Sequence, residues 1–191
     1  VMSLLTLKAT EKANTDNFVE DKTSGTEITP FLTVYEDAEG KATVILNATT
    51  DPATDGVLKK VWYKVEGANA DPIANPFDPE TPTEVTLTPT EGNRKYTISA
   101  GLDCDNDGKL DNEEITRTVE ALVVKLDVLR VADAVSGGYY VEDRDSLSPP
   151  PILRYCNQGV VKVKLSISML PADADKSKVR WIVEGNAAAP A

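Results

Sequence analysis

Residues 7–67 of this 191-residue chain return as residues 129–185, at offsets of 118–122 positions. Self-similarity on that scale restricts the fold to one in which the same supersecondary unit is built twice. Phe18-Val-Glu-Asp21 returns as Tyr140-Val-Glu-Asp143, and Tyr35 as Tyr155. The run Ala42-Thr-Val-Ile-Leu-Asn-Ala48 returns as Val161-Lys-Val-Lys-Leu-Ser-Ile167, and Pro52 as Pro171. Lys60-Val61…Val65-Glu66-Gly67 returns as Lys178-Val179…Val183-Glu184-Gly185. Chance similarity among valine-rich strands is the alternative, and against it these landmarks keep their order with only small gaps.

The repeated unit reads as β-structure. Val161, Val163, Leu165 and Ile167 alternate with Lys162, Lys164, Ser166 and Ser168, the period-2 pattern of a strand with one buried face. Similar strands read at 4–10, 28–35, 42–49, 57–66, 83–88, 94–100 and 115–126, separated by Pro, Gly, Asp and Asn clusters such as Asp51–Gly56 and Gly67–Pro82. No segment carries a convincing helical pattern. Seven short strands in the first copy suit an immunoglobulin-like sandwich. The expected architecture is all-β: tandem immunoglobulin-like β-sandwiches, a complete one over 1–123 and the first half of a second over 124–191.

The second copy lacks counterparts of residues 83–89, 94–100, the acidic loop at 103–114 and the strand after it. Either it is cut short, the simpler expectation, or strands from a neighbouring chain complete it and make the protein a polymer-forming subunit. The connecting run Val119–Val131 has no Gly or Pro, so the last strand of one copy is expected to feed directly into the first of the next as a stiff junction.

Composition excludes several function classes. With 20 Lys+Arg against 31 Asp+Glu the net charge is −11, which argues against nucleic acid or an anionic membrane surface as partner. Histidine is absent, removing the usual general base and the commonest zinc ligand, so the chain is not expected to be an enzyme. No apolar run reaches the length that spans a bilayer, and membrane insertion is not expected. The sequence opens at Val1 without a charged-then-apolar leader, the expectation for a piece of a longer polypeptide.

One motif carries chemistry. Asp103-Cys-Asp-Asn-Asp-Gly-Lys-Leu-Asp-Asn-Glu-Glu114 sets oxygen ligands at positions 1, 3, 5, 9 and 12 of a twelve-residue loop, with Gly108 at the sharp turn. Asp103, Asp105, Asp107, the carbonyl of Lys109, Asp111 and a bidentate Glu114 would enclose a hard cation, and six or seven oxygens suit Ca²⁺ better than Mg²⁺. The flanks, Arg94–Ala100 and Ile115–Val124, read as strands and not as the helices of an EF-hand. Ion binding is therefore expected to stiffen a hairpin, a structural role and not a sensing one. An acidic solvated turn is the alternative, since Asn-Asp-Gly is itself a good turn sequence.

Other features rank lower. Cys104 and Cys156 allow one disulfide, which would staple the two copies, or remain two thiols. Glu20-Asp21 and Glu142-Asp143 are read as solvated acidic turns in preference to a second cation site. Trp62 and Trp181 fall in matching strands one register position apart, one suited to the core and the other to an exposed ring for sugar stacking.

The unit Ala100-Gly-Leu-Asp-Cys-Asp-Asn-Asp-Gly-Lys-Leu-Asp-Asn-Glu-Glu-Ile followed by Val-Val-Lys-Leu-Asp resembles repeats in large bacterial surface or secreted proteins, in which immunoglobulin-like domains carry a calcium loop near the last hairpin. The resemblance covers residues 96–127. It implies an extracellular or cell-surface location and a calcium-stabilised structural or adhesive role as stalk, adhesin or fibre subunit. Neighbouring repeats, identical subunits, or a cell-surface protein or glycan would be the partners. A carbohydrate-binding accessory module is the remaining alternative and would need an exposed aromatic platform.

Overall fold

In the computed structural model, residues 4–22, 28–51, 60–105, 107, 115–135, 139–144, 149–154, 161–177, 179–182 and 184 are described. They contain strands and turns and no helix, hence no helix long and apolar enough to cross a membrane.

Strands β1 (Leu4–Glu11), β2 (Phe18–Asp21), β4 (Ala42–Asp51) and β6 (Thr83–Leu87) form an antiparallel sheet in the order β2-β1-β4-β6. A second sheet runs β10-β8-β7-β5, from β5 (Val61–Glu66), β7 (Lys95–Leu102), β8 (Ile115–Asp133) and β10 (Val163–Leu170). Two further strands join it on β8. β3 (Phe31–Tyr35) runs parallel to Glu120–Val124, and β9 (Tyr140–Arg144) antiparallel to Val128–Ala132.

Period-2 alternation decides which side chains meet. Ala42, Val44, Leu46 and Ala48 of β4 are at most 3% exposed, and Leu5, Leu7 and Ala9 of β1 are fully buried. They face Tyr96, Ile98, Ala100 and Leu102 of β7 and Val119, Ala121 and Val123 of β8 in one continuous core. Tyr63 is buried with them while its neighbour Trp62 is on the other face and half-buried. Of the two adjacent aromatic positions, the tyrosine takes the core place.

β8 is the spine of the molecule. Its first half pairs with β7 from Ile115 to Leu122, and its second half pairs with β10 from Lys125 to Asp133. Where the sequence suggested a strand ending at 126, β-branched and leucine residues with no Gly or Pro carry it on to Asp133. A bulge marks the changeover, because Ser168 pairs with Val128 but Met169 with Leu126, leaving Asp127 as the extra residue. A small second cluster of Leu122, Val124, Met169 and Ala174, with Tyr35 and Val179 against it, fills the junction.

The repeat is visible in hydrogen-bond register. β1 pairs with β2 as Leu7↔Asp21, Lys8↔Glu20, Ala9↔Val19 and Thr10↔Phe18. β8 pairs with β9 as Leu129↔Asp143, Arg130↔Glu142, Val131↔Val141 and Ala132↔Tyr140, each pair displaced by 122 residues. β1–β4 and β8–β10 correspond likewise, Leu7↔Ala48 with Leu129↔Ile167 and Glu11↔Val44 with Asp133↔Val163. The turn bonds follow: Glu11 donates to the Asn17 carbonyl and Asp133 to the Tyr139 carbonyl, both at 2.9 Å. β2 and β9 were not read as strands from the sequence, because their Glu-Asp pairs read as acidic turns, although Phe-Val-Glu-Asp marked their place.

The two copies differ in how far they are covered. The inner face of β2-β1-β4 is closed by the opposing sheet. The matching residues of β9-β8-β10 are not: Val161 and Val163 are 40% and 45% exposed where Ala42 and Val44 are 3% and 0%.

Candidate metal centre

The acidic motif begins where β7 ends. Leu102 pairs with Ile115 of β8 on one side and Val61 of β5 on the other, so the next residue leaves from the middle of a three-stranded frame. Asp103 is held there by its amide, which donates to the Lys60 carbonyl at 3.0 Å, and its side chain is fully buried. Cys104 is half-buried and packs against the core. The chain then turns outward: Asp105 and Asp107 are exposed, and the Asp107 amide donates to Asp105 Oδ1 at 3.1 Å.

These three side chains converge. One carboxylate oxygen from each of Asp103, Asp105 and Asp107 lies within 4.8 Å of the others, the only such acidic group among the described residues, and the cluster could hold a metal ion. Three like charges this close repel one another, and a cation among them reverses the sign of the interaction. Carboxylate oxygen is the donor that hard cations prefer. Lys109, Asp111, Glu114 and Gly108 lie outside the described residues, as does Cys156.

No protein-family model, curated protein or solved structure matches this chain.

The centre lies at the start of β8 and the second copy at its end. At about 3.3 Å per residue the strand places some 40 Å between Ile115 and Val128. The remaining sequence candidates do not gather into a site. Glu20 pairs with Lys22 at 2.7 Å and Glu142 with Arg144 at 2.8 Å, and Asp21 Oδ2 accepts the Thr118 amide at 2.9 Å. The Glu-Asp pairs thus lie on strands β2 and β9 and not in turns, with their glutamates in ion pairs.

Trp181, the counterpart of Tyr63 at an offset of 118, is 43% exposed and lines a cleft of about 350 Å³ with Tyr35, Leu126, Leu129, Ile167 and Val179. No sequence motif marks this cleft, because its lining comes from segments far apart in the chain. Two buried groups were also unforeseen. Glu11, 5% exposed, accepts the Tyr35 amide at 2.9 Å and the Asn17 amide nitrogen at 2.8 Å. Arg94 pairs with Glu36 and donates from Nε to the Val123 carbonyl at 2.8 Å.

Proposed function

We propose that this chain is a non-enzymatic, calcium-stabilised structural or adhesive segment of an extracytoplasmic bacterial protein, built from immunoglobulin-like units in tandem. The observation that carries the reading is the convergence of Asp103, Asp105 and Asp107 within 4.8 Å at the end of β7, because these are the first three side-chain ligands of a twelve-residue DxDxDG loop. Lys109 through its carbonyl, Asp111 and Glu114 complete the proposed set, and Ca²⁺ fits that many oxygens better than Mg²⁺. The ion would tie the β7–β8 connection to Lys60 ahead of β5 and stiffen that end of the sandwich.

The immunoglobulin-like assignment is supported by topology. β5-β7-β8 faces β1-β4-β6, and β3 crosses to lie parallel to β8, an arrangement like that of strands C, F and G against A, B and E. A continuous β8 through both copies suits a stiff spacer. Histidine is absent from the sequence, in keeping with a non-catalytic role.

The test is thermal unfolding of the chain in EDTA, with Ca²⁺ or Mg²⁺ restored. Ligand linkage predicts about 2.7 kcal/mol of stabilisation with the ion at a hundredfold its dissociation constant. A rise specific to Ca²⁺ is expected. An unchanged midpoint would reduce residues 103–114 to an acidic turn.

A further inference from the structure

Residues 68–80, between β5 and β6, carry no strand, yet they occupy a sheet edge. β5 is the last strand of its sheet, with β7 on one side. On its other side the Val61 amide donates to the Phe77 carbonyl and the Phe77 amide to the Val61 carbonyl, both at 2.8 Å. Two residues on, the Asn75 side chain does what the backbone of a neighbouring strand would do. Its Oδ1 accepts the Tyr63 amide at 2.8 Å and its Nδ2 donates to the Tyr63 carbonyl at 2.7 Å. The Phe77 ring stands 5.4 Å from that of Tyr63, and Ile73 and Phe77 pack against the core. Earlier in the same segment, the Asp71 amide donates to the Thr86 carbonyl of β6 at 3.1 Å. One irregular strap thus reaches the edge strands of both sheets.

We infer that the strap is autoinhibitory: it covers an edge that is complementary to itself, and when the strap is displaced β5 pairs with β5 of a second copy of this chain. The inference is independent of the calcium reading. Val61 and Tyr63 turn their backbone groups away from β7 and toward the strap, so the odd residues of β5 are the ones that can bond to a new strand. Antiparallel pairing centred on Tyr63 sets Val61 against Val65 and Tyr63 against its own copy as the hydrogen-bonded pairs. The same register sets Lys60 against Glu66 and Trp62 against Lys64 on the outer face, each twice by two-fold symmetry. Opposite charges directly across two strands attract, and an ammonium against an indole is a further favourable contact. Neighbouring registers lose this match. Centring on Lys64 sets that lysine against itself, and centring on Trp62 sets Lys60 against Lys64.

With the strap in place these charges are held within the chain, Lys60 on Asp78 of the strap at 2.5 Å and Lys64 on Glu66 at 2.7 Å. The strap also wins on hydrogen bonds. It gives Val61 and Tyr63 two each, whereas the self-pair supplies about three to each copy and carries the entropy cost of association. Loss of the Asn75 side chain removes two of the strap's bonds and reverses that order. Loss of the Phe77 ring removes the contact that anchors the remainder on Tyr63. Natural sheets cover their edges against pairing of this kind, and here the cover hangs on two side chains.

The test is sedimentation equilibrium of the full chain, with circular dichroism to check the β fold of each variant. At about 100 μM the unaltered chain is expected to be monomeric and Asn75→Ala/Phe77→Ala dimeric. Asn75→Asp keeps the side chain's size and the acceptor for the Tyr63 amide while losing the donor to the Tyr63 carbonyl. It leaves the core untouched, provides the reading if the double variant does not fold, and should dimerise more weakly. Adding Glu66→Lys to either variant should weaken the dimer about tenfold, because both Lys60–Glu66 pairs become like-charged. Adding Lys60→Glu as well should restore it. Strap variants that fold and stay monomeric, or that form dimers indifferent to Glu66→Lys, overturn the inference. An unaltered chain that dimerises as tightly as the strap variants overturns it equally.

Discussion

Arg130 lies over the ring of Tyr140, its guanidinium carbon 3.5 Å from the centroid, and Lys8 lies over Phe18 in the same way at 4.0 Å. Both members of one pair are displaced from the other by 122 residues, and a cation on an aromatic face is attractive in either version. The chemistry is the same while the residue types differ, so β2-β1-β4 and β9-β8-β10 correspond in this contact as well as in register. That equivalence permits matched comparisons within a single molecule.

Val44 and Val163 occupy the same repeat position but are 0% and 45% exposed. Val44→Ala removes two buried methyl groups from a closed core and should cost about 1–3 kcal/mol. Val163→Ala should cost less than about 0.5 kcal/mol, as surface substitutions do. Denaturant unfolding of the two variants measures the difference, and equal costs would show that the second copy is covered in solution.

On the proposed calcium reading, Asp103→Asn should reduce Ca²⁺ affinity by about tenfold or more, because it neutralises the one carboxylate of the three that the fold holds buried. Asp105→Asn and Asp107→Asn, at exposed positions, should each cost less. Isothermal titration with Ca²⁺ ranks the three, and a smaller loss at Asp103 than at Asp105 would contradict the assignment.

Gly67 closes β5 with φ +151°, and a Cβ there would stand 2.5 Å from Tyr96 Cδ1 and 2.9 Å from the Lys95 carbonyl oxygen. Tyr96 cannot yield easily, being buried with its hydroxyl donating to the Ala68 carbonyl at 2.5 Å. Gly67→Ala should therefore destabilise by about 2 kcal/mol or more, read as a lower denaturant midpoint.

Burial pushes the Tyr63 phenol up to about 12, against a smaller opposing effect from the Ala48 amide, which donates to its oxygen at 2.9 Å. The folded value exceeds the unfolded one, near 10. The stabilisation is thus complete below pH 10 and is lost as the pH rises to 12, when only the unfolded phenol ionises. A fall of about 2–3 kcal/mol across that interval is expected from a shift of this size, and Tyr63→Phe should flatten it. Unfolding curves at successive alkaline pH values provide the check.

Arg94 and Glu36 form an ion pair with side chains 6% and 10% exposed. Arg94→Met would strand a buried carboxylate and should cost about 3–5 kcal/mol, whereas Arg94→Met with Glu36→Gln should recover much of the loss. Thermal midpoints of the single and double variants give the comparison.

Strands were legible where apolar and polar residues alternate, including the five-residue β3 and β6. The alternations at 42–49 and 94–100 gave β4 and β7 because each inner residue is apolar and each lies in a closed core. β2 and β9 end in the Glu-Asp pairs that read as acidic turns, which hid the strand they belong to. Lys109, Asp111 and Glu114 could be named by spacing alone, while the convergence of Asp103, Asp105 and Asp107 required the folded hairpin.

The amino-acid order by itself determined the repeat, the all-β character and the spacing of the acidic loop, because these depend on residues close along the chain or on a constant offset. Tertiary structure decided the rest. It buried Asp103 by setting β7 between β5 and β8, gave the core place to Tyr63 and not Trp62, and carried β8 through both copies. It also left Val161 and Val163 exposed where their counterparts are covered. Burial is a property of what lies opposite a residue, and the strands that lie opposite come from distant parts of the chain, where a local pattern carries no record of whether they arrive.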